Sequence, residues 1–136
     1  MKSKKLFLVV AAILFFIGTS FMLEMQPLQK AWPVPAAAKA KKNPIASNAE
    51  SLKAGKELWN KHCKSCHGTK GLGDGTKASQ LKTDPGDFSK PAFQAQTDGE
   101  MFYRLSEGRD DMPSFKKKLP DEEDRWNLVN FMRTLK

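Results

Sequence analysis

Apolar residues recur at helical spacing in two regions that each begin with a capping signal. After Ser47-Asn48-Ala49-Glu50, which has capping-box spacing, an apolar face continues to His62, so we predict a helix over residues 48–62. A second capping-box sequence begins at Thr97, and the apolar residues after it continue to Gly108. This pattern predicts a shorter second helix that ends at the glycine.

A third helix is predicted after Pro120, where acidic residues complement the helix amino terminus and Trp126, Val129 and Met132 supply an apolar face. Residues 68–96, in contrast, are rich in Gly, Asp, Lys and Pro and lack the alternation typical of strands. The glycine spacing in this region fits neither nucleotide-binding consensus and indicates tight turns. The pattern as a whole predicts an all-α domain.

The chain begins with a basic stretch that is followed by a long apolar one. Three lysines lie among the first five residues, and Leu6 to Leu23 then run for eighteen residues without a charge. No small-residue cleavage site lies close after Leu23, since the first candidates, Ala36-Ala37-Ala38 and Ala38-Lys39-Ala40, are more than a dozen residues further on. We therefore predict that residues 1–23 are a retained membrane anchor, with a cleaved signal peptide as the alternative. In either case the lysines favour a cytoplasmic amino terminus and place the rest of the chain on the outer side.

Residues 24–47 hold four prolines, an alanine run and several lysines, with no amphipathic period. This composition predicts a semi-extended tether that leads to a folded domain over residues 48–136. Residues 1–47 carry seven lysines and one acidic residue, whereas residues 48–136 carry sixteen basic and fourteen acidic residues. The net charge of +8 therefore lies mainly outside the folded domain, and it does not indicate a nucleic-acid partner.

The candidate chemistry is concentrated in Cys63-Lys64-Ser65-Cys66-His67, which contains both cysteines of the chain. Two thiols at this spacing with a histidine directly after them are typical of covalent c-type haem attachment. On this interpretation Cys63 and Cys66 each form a thioether to haem c, and His67 is the proximal ligand of the haem iron.

Three other interpretations of the motif were open. A zinc site usually needs four ligands, and the only other histidine of the chain is His62, adjacent to Cys63. A redox dithiol of the thioredoxin type would need a βαβ pattern, which is not visible. The third interpretation is a plain disulfide or a pair of inert thiols. The spacing favours haem attachment over all three.

The second axial ligand decides between electron transfer and chemistry at an open iron position. Met101, Met112 and Met132 are the candidates in the domain. Met101 and Met132 lie at helical spacing within apolar faces, which indicates core residues. Met112 lies in a polar loop between two helices, and Pro113 favours an extended backbone at the preceding residue. We therefore predict Met112 as the distal ligand.

Residues 48–136 resemble class I mono-haem cytochromes c of the small bacterial periplasmic kind. Besides the cysteine motif, the resemblance rests on Gly55, Trp59, Gly73-Asp74-Gly75, Asp98-Gly99-Glu100, Gly108, Met112-Pro113-Ser114-Phe115 and Trp126-Asn127-Leu128-Val129-Asn130-Phe131. It implies an all-α fold of about three to five short helices around one covalent haem. It also implies that Gly55 permits a close crossing of the first and last helices, with Trp59 packed near Leu128 and Phe131, and that Met112 is the distal ligand.

The chain departs from the family in one place. Members of the family usually have a proline closer to the haem histidine, where it holds the ring nitrogen. Here the first proline after His67 is Pro85, eighteen positions further on. The resemblance therefore does not settle which group accepts a hydrogen bond from this histidine.

The implied function is one-electron transfer through haem c, on the periplasmic side of the bacterial inner membrane or, if the leader is cleaved, free in the periplasm. On this interpretation the chain is not an enzyme, it binds no small-molecule substrate, and its partners are a donor and an acceptor redox protein. One alternative is an electron-transfer subunit of a larger oxidoreductase complex. Another is a haem peroxidase or gas sensor with a labile Met112, for which Arg109, Asp110 and Asp111 are the nearby polar candidates.

Lysines flank both predicted iron ligands in the sequence. Lys64 lies between the cysteines, and Lys116, Lys117 and Lys118 follow the Met112 loop. They predict a basic patch at the haem edge for an acidic partner, with a solvated lysine run as the alternative.

Overall fold

Six α-helices and one 3-10 turn form the part of the chain that the computed structural model describes, residues 32–136. In chain order they are α1 (Ala36–Lys39), α2 (Ala49–His62), α3 (Lys64–His67), the 3-10 turn (Ala78–Gln80), α4 (Pro91–Gln94), α5 (Asp98–Glu107) and α6 (Glu122–Met132). Between residues 32 and 136 there is no strand, so the all-α prediction is confirmed there. Three of the helices are single turns of four residues, too short for periodicity to reveal.

The three helices predicted from the sequence correspond to α2, α5 and α6. The capping box before α5 is complete, since the Thr97 hydroxyl accepts from Glu100 N–H at 3.1 Å and the Glu100 carboxylate accepts from Thr97 N–H at 2.9 Å. At α2 the cap differs from the predicted one. Asn48, and not Ser47, is the N-cap, and its side chain accepts from Ser51 N–H at 2.9 Å.

Helices α2 and α6 cross closely at Gly55. A Cβ atom at this position would lie 2.2 Å from the carbonyl oxygen of Asn127, so only glycine permits the observed approach. One turn further along α2, the buried ring of Trp59 lies 5.8 Å from that of Phe131. The crossing and the packing that the resemblance implies are both confirmed. Helix α5 joins this pair through Phe102, whose ring stacks on Trp126 at 3.9 Å.

The buried side chains form one apolar core with contributions from α2, α5, α6 and the loops between them. Its members are Trp59, Cys63, Phe88, Met101, Phe102, Leu105, Phe115, Leu119, Trp126, Leu128, Val129, Met132 and Leu135. The inclusion of Cys63 means that the predicted haem attachment motif begins inside the core.

Residues 34–47 belong to the same compact unit as the helices, which comprises Val34–Lys136. The sequence had predicted that residues 24–47 form a semi-extended tether. The backbone carbonyl of Lys39 accepts from the Thr97 hydroxyl at 2.9 Å. The Asn43 side chain donates to the Trp126 carbonyl at 3.2 Å and to the Asn130 side chain at 2.8 Å. We call residues 34–47 the arm. Its attachment depends on long-range polar contacts that leave no periodic signal in the sequence.

The predicted anchor over residues 6–23 lies outside the described residues. Within residues 32–136, no helix has the length and apolar character needed to cross a membrane.

We predict that Asn43→Ala weakens the attachment of the arm. The substitution removes the two hydrogen bonds that the side-chain amide donates and the one that its oxygen accepts from Ile45 N–H. It also leaves the side-chain oxygen of buried Asn130 without this donor. The expected loss is about 1–2 kcal/mol in the free energy of unfolding, measured by urea denaturation of the haem-loaded protein. Lys42→Ala, an exposed neighbour, is the control and should change this free energy by less than about 0.5 kcal/mol. Equal effects of the two substitutions would contradict a docked arm.

Candidate functional site

The cysteine motif forms a single helical turn at the end of α2. Cys63 caps α2 by donating its N–H to the Trp59 carbonyl at 2.9 Å, and α3 begins at the next residue. The N–H groups of Cys66 and His67 both donate to the Cys63 carbonyl, at 3.1 and 3.0 Å. Because residues three and four positions apart lie on the same side of a helix, this turn brings the two thiols and the imidazole to one face.

The glycine-rich segment over residues 73–77 pairs with this turn through the backbone. Gly73 N–H donates to His67 O at 3.0 Å, Gly75 N–H to Cys66 O at 3.2 Å, and Lys77 N–H to Ser65 O at 2.8 Å. A Cβ atom at Gly75 would lie 2.4 Å from the Ser65 carbonyl oxygen, so the pairing requires glycine at this position. The glycines therefore serve tight packing around the cysteine motif.

Aromatic rings surround the imidazole of His67. Its centroid lies 4.8 Å from the Phe88 ring and 5.7 Å from the Trp59 ring. Trp59 also donates its indole N–H to the carbonyl of Gly68, at 3.0 Å, and so fixes the residue that follows the histidine. Phe88 was not predicted as a site residue, because it lies in a polar loop without periodicity. The sequence signal that could have identified Phe88 is the presence of a large apolar residue in an otherwise polar loop.

Burial lowers the pKa of His67, and a backbone contact with Pro85 raises it by a smaller amount. The ring is therefore biased toward the neutral form, which is the form that binds a metal. The Nδ1 atom is buried without a hydrogen bond of full geometry. Pro85 thus lies beside the imidazole although it is eighteen positions away in sequence, and the longer loop still returns a proline to the histidine.

The two cysteines are free thiols in unequal surroundings. Cys63 is buried, and burial, with a smaller contribution from Cys66, raises its pKa to about 12. A thiol with this pKa is protonated at neutral pH. Residues 32–136 contain no group of three His, Cys, Asp or Glu side chains placed to share a metal ion. The described part of the chain therefore does not bring together the ligand set that the zinc interpretation requires.

Met112 lies at the end of a tight hairpin. Arg109 and Met112 exchange two backbone hydrogen bonds, at 2.8 and 2.9 Å, and Asp110 between them has a φ of 52°. The Met112 side chain is half-buried and packs against the core cluster that contains Cys63. Met101 and Met132 are buried within the helical core, at 3% and 6% exposure. Among the methionines of residues 32–136, Met112 therefore lies in a loop, whereas Met101 and Met132 lie in helices.

The polar side chains beside Met112 are engaged with other groups. Arg109 forms an ion pair with Asp110 at 3.3 Å. The Asp111 carboxylate accepts hydrogen bonds from the backbone N–H groups of Lys82 and Thr83, at 2.7 and 3.1 Å. The sequence had marked these three residues only as candidates for a catalytic distal group. The structure gives Asp111 a contact between two loops.

The all-α fold, the cysteine turn that follows buried Cys63 and the aromatic surroundings of His67 define a class I c-type cytochrome, in which haem c with its iron is covalently bound. A family model described as cytochrome c oxidase, cbb3-type, subunit III matches residues 50–132. This span is more than half of the sequence, and the chain belongs to that family. A domain of this kind transfers electrons through its haem.

A solved structure supports the same fold. A chain of the reducing HAO-like protein complex of Kuenenia stuttgartiensis is similar, with a TM-score of 0.63 and 27% sequence identity. The match covers 78% of this chain and 52% of that one, so the present chain corresponds to about half of its structural relative. A search of curated protein sequences found no match.

Proposed function

We propose that the chain is a one-electron carrier, with thioethers at Cys63 and Cys66 and with His67 and Met112 as the axial ligands of the haem iron. The observation that carries the proposal is the position of Met112, on a hairpin that packs against the cluster containing Cys63. Haem iron with a histidine and a methionine ligand cycles between its ferric and ferrous states without an open coordination position. The chain then neither binds nor transforms a small-molecule substrate.

The surroundings of the two proposed ligands suit electron transfer. The aromatic wall of Trp59 and Phe88 holds the His67 ring on one side. Two backbone hydrogen bonds hold the hairpin that presents Met112. Ligands that are already held in place need little rearrangement when the iron changes its charge. The peroxidase and gas-sensor alternatives receive less support, because Asp111 is already bound to Lys82 and Thr83.

We predict that the oxidised protein shows the weak near-infrared band of methionine ligation and that the reduced protein binds carbon monoxide slowly. Met112→Ala should abolish the band and permit fast carbon monoxide binding, because it opens an iron position. Met101→Leu, which conserves volume in the core, is the control and should retain the band. Fast, tight carbon monoxide binding by the unmodified protein would refute the closed site.

A second candidate function is that of an electron-transfer subunit in a larger oxidoreductase complex. Two observations favour it: the matching family model is described as an oxidase subunit, and the similar solved chain comes from a complex. Purification in mild detergent separates the two functions. A subunit should co-elute with partner proteins in fixed stoichiometry, whereas a carrier should elute without them.

We also propose that the domain works on the periplasmic side of the bacterial inner membrane, anchored by residues 6–23. Support comes from the lysines and the uncharged apolar stretch at the start of the chain. The haem spectrum of membrane and soluble fractions tests this placement. Recovery of all haem-loaded protein in the soluble fraction, at its full length, would contradict an anchor.

We propose a basic docking patch beside the cysteine motif, with members that differ in part from those of the patch predicted from the sequence. Burial lowers the pKa of His62, and the nearby charges of Lys61 and Lys118 lower it further. Lys61 and Lys118, which are far apart in sequence, therefore both lie near His62, the residue before Cys63. Lys116 instead forms an ion pair with Glu107. We propose that Lys61, Lys64 and Lys118 form the docking surface for an acidic redox partner.

We predict that electron transfer to the partner slows steeply as salt is added, because exposed charges are screened beyond ~10 Å at 0.1 M. Lys118→Glu should reduce the rate at low salt, and its salt dependence should become weaker. Lys42→Glu makes the same charge change on the arm and serves as the control. Stopped-flow measurements at several ionic strengths provide the rates, and a flat profile for the unmodified protein would refute the patch.

A further inference from the structure

A single carboxylate connects two loops that are far apart in sequence. One oxygen of Asp111 accepts hydrogen bonds from the backbone N–H of Lys82 at 2.7 Å and of Thr83 at 3.1 Å. These contacts span 29 and 28 positions of the chain. Two donors on an ionised oxygen make a charge-assisted contact, which is stronger than a neutral hydrogen bond.

Each of these loops leads to one of the proposed iron ligands. Asp111 immediately precedes Met112 in the hairpin. Thr83 lies two positions before Pro85, whose backbone contacts the His67 ring. The carboxylate therefore joins the loop that presents the distal ligand to the loop that meets the proximal one.

The hairpin has a specific need for such a contact. Asp110 has a φ of 52°, a left-handed conformation that few residues other than glycine adopt and that aspartate tolerates better than most. The hairpin contains only two residues between its paired ends, and the Met112 side chain is half-buried. Contacts with a neighbouring segment help a short hairpin to keep one orientation. Here the neighbouring segment is the backbone of Lys82 and Thr83, which donates both hydrogen bonds to Asp111.

We propose that Asp111 is a positioning residue, which clasps the two loops together and so keeps Met112 on the haem iron. This proposal rests on the proposed ligation by Met112. The carboxylate acts through the backbone amides and does not touch the iron. Loss of the clasp frees the hairpin to move and increases the fraction of time in which the distal position is open.

The test compares four variants of the full-length, haem-loaded protein. Asp111→Ala removes the acceptor, whereas Asp111→Asn retains an oxygen that can accept the same two bonds. Asp110→Asn removes a neighbouring charge without touching the clasp. Asp87→Ala removes a carboxylate that accepts from Ser89 N–H at 2.9 Å within the same loop, and so controls for general loosening of that loop.

The measurements are the near-infrared band of the oxidised protein and the rate of carbon monoxide binding to the reduced protein. For Asp111→Ala we expect a weaker band and binding that is roughly three- to tenfold faster. This is the effect of losing about one net hydrogen bond of ordinary strength, because both contacts are exposed and water screens the charge. Asp111→Asn should stay within about twofold of the unmodified protein, since its amide oxygen keeps the acceptor. Both control variants should match the unmodified protein.

Several outcomes would overturn the clasp. They are an unchanged rate in Asp111→Ala, an equal change in Asp87→Ala, or an increase in both Asp111→Asn and Asp110→Asn as large as that in Asp111→Ala, which would indicate a charge effect. Failure of the proposed function would be recognised by a different result, because the unmodified protein itself would then lack the near-infrared band.

Hydrogen exchange provides a test that needs no variant. Imidazole, added to displace Met112, should accelerate exchange of the Lys82 and Thr83 amides if the clasp and the ligand are linked. Unchanged exchange at these amides while the near-infrared band disappears would overturn the proposal, even if Asp111→Ala does not mature.

Discussion

The distance between α2 and α6 is the constraint on which the rest of the domain depends. Gly55 allows the two helices to approach until the carbonyl of Asn127 fills the place of a side chain. At this separation Trp59 reaches Phe131, and its indole N–H reaches the carbonyl behind His67. The position of the cysteine turn is thus set by helix packing, since that turn continues directly from α2.

Polar contacts between distant segments complete what the apolar core begins. Ser51 donates to the Asn127 side chain at 2.6 Å, and Asn130 donates to Ser51 at 2.8 Å. Asn43 of the arm extends this network to a third segment. Buried networks of this kind are favourable only when each member finds a partner, so they specify one arrangement of the helices. The arm, α2 and α6 therefore form a single structural unit.

Local patterns were sufficient to predict the three longer helices, the haem attachment motif and the loop position of Met112. Each rests on residues that lie close together in sequence. The arm, the return of Pro85 to His67 and the contact of Asp111 with Lys82 could not be predicted. They depend on the path of the backbone over tens of residues, and a lone proline or aspartate in a loop leaves no periodic signal. The single-turn helices were missed for the same reason.

The crossing of α2 and α6 also has a consequence for the order in which the chain can fold. Asn43 reaches its partners over 83 and 87 positions, and Ser51 reaches Asn127 over 76. None of these contacts can form until the last helix has been synthesised. Contacts this distant form late, because a long loop must first close. The contacts that join the arm and α2 to α6 therefore depend on the carboxyl-terminal helix, although Asn43 and Ser51 precede their partners in that helix by 76 positions or more.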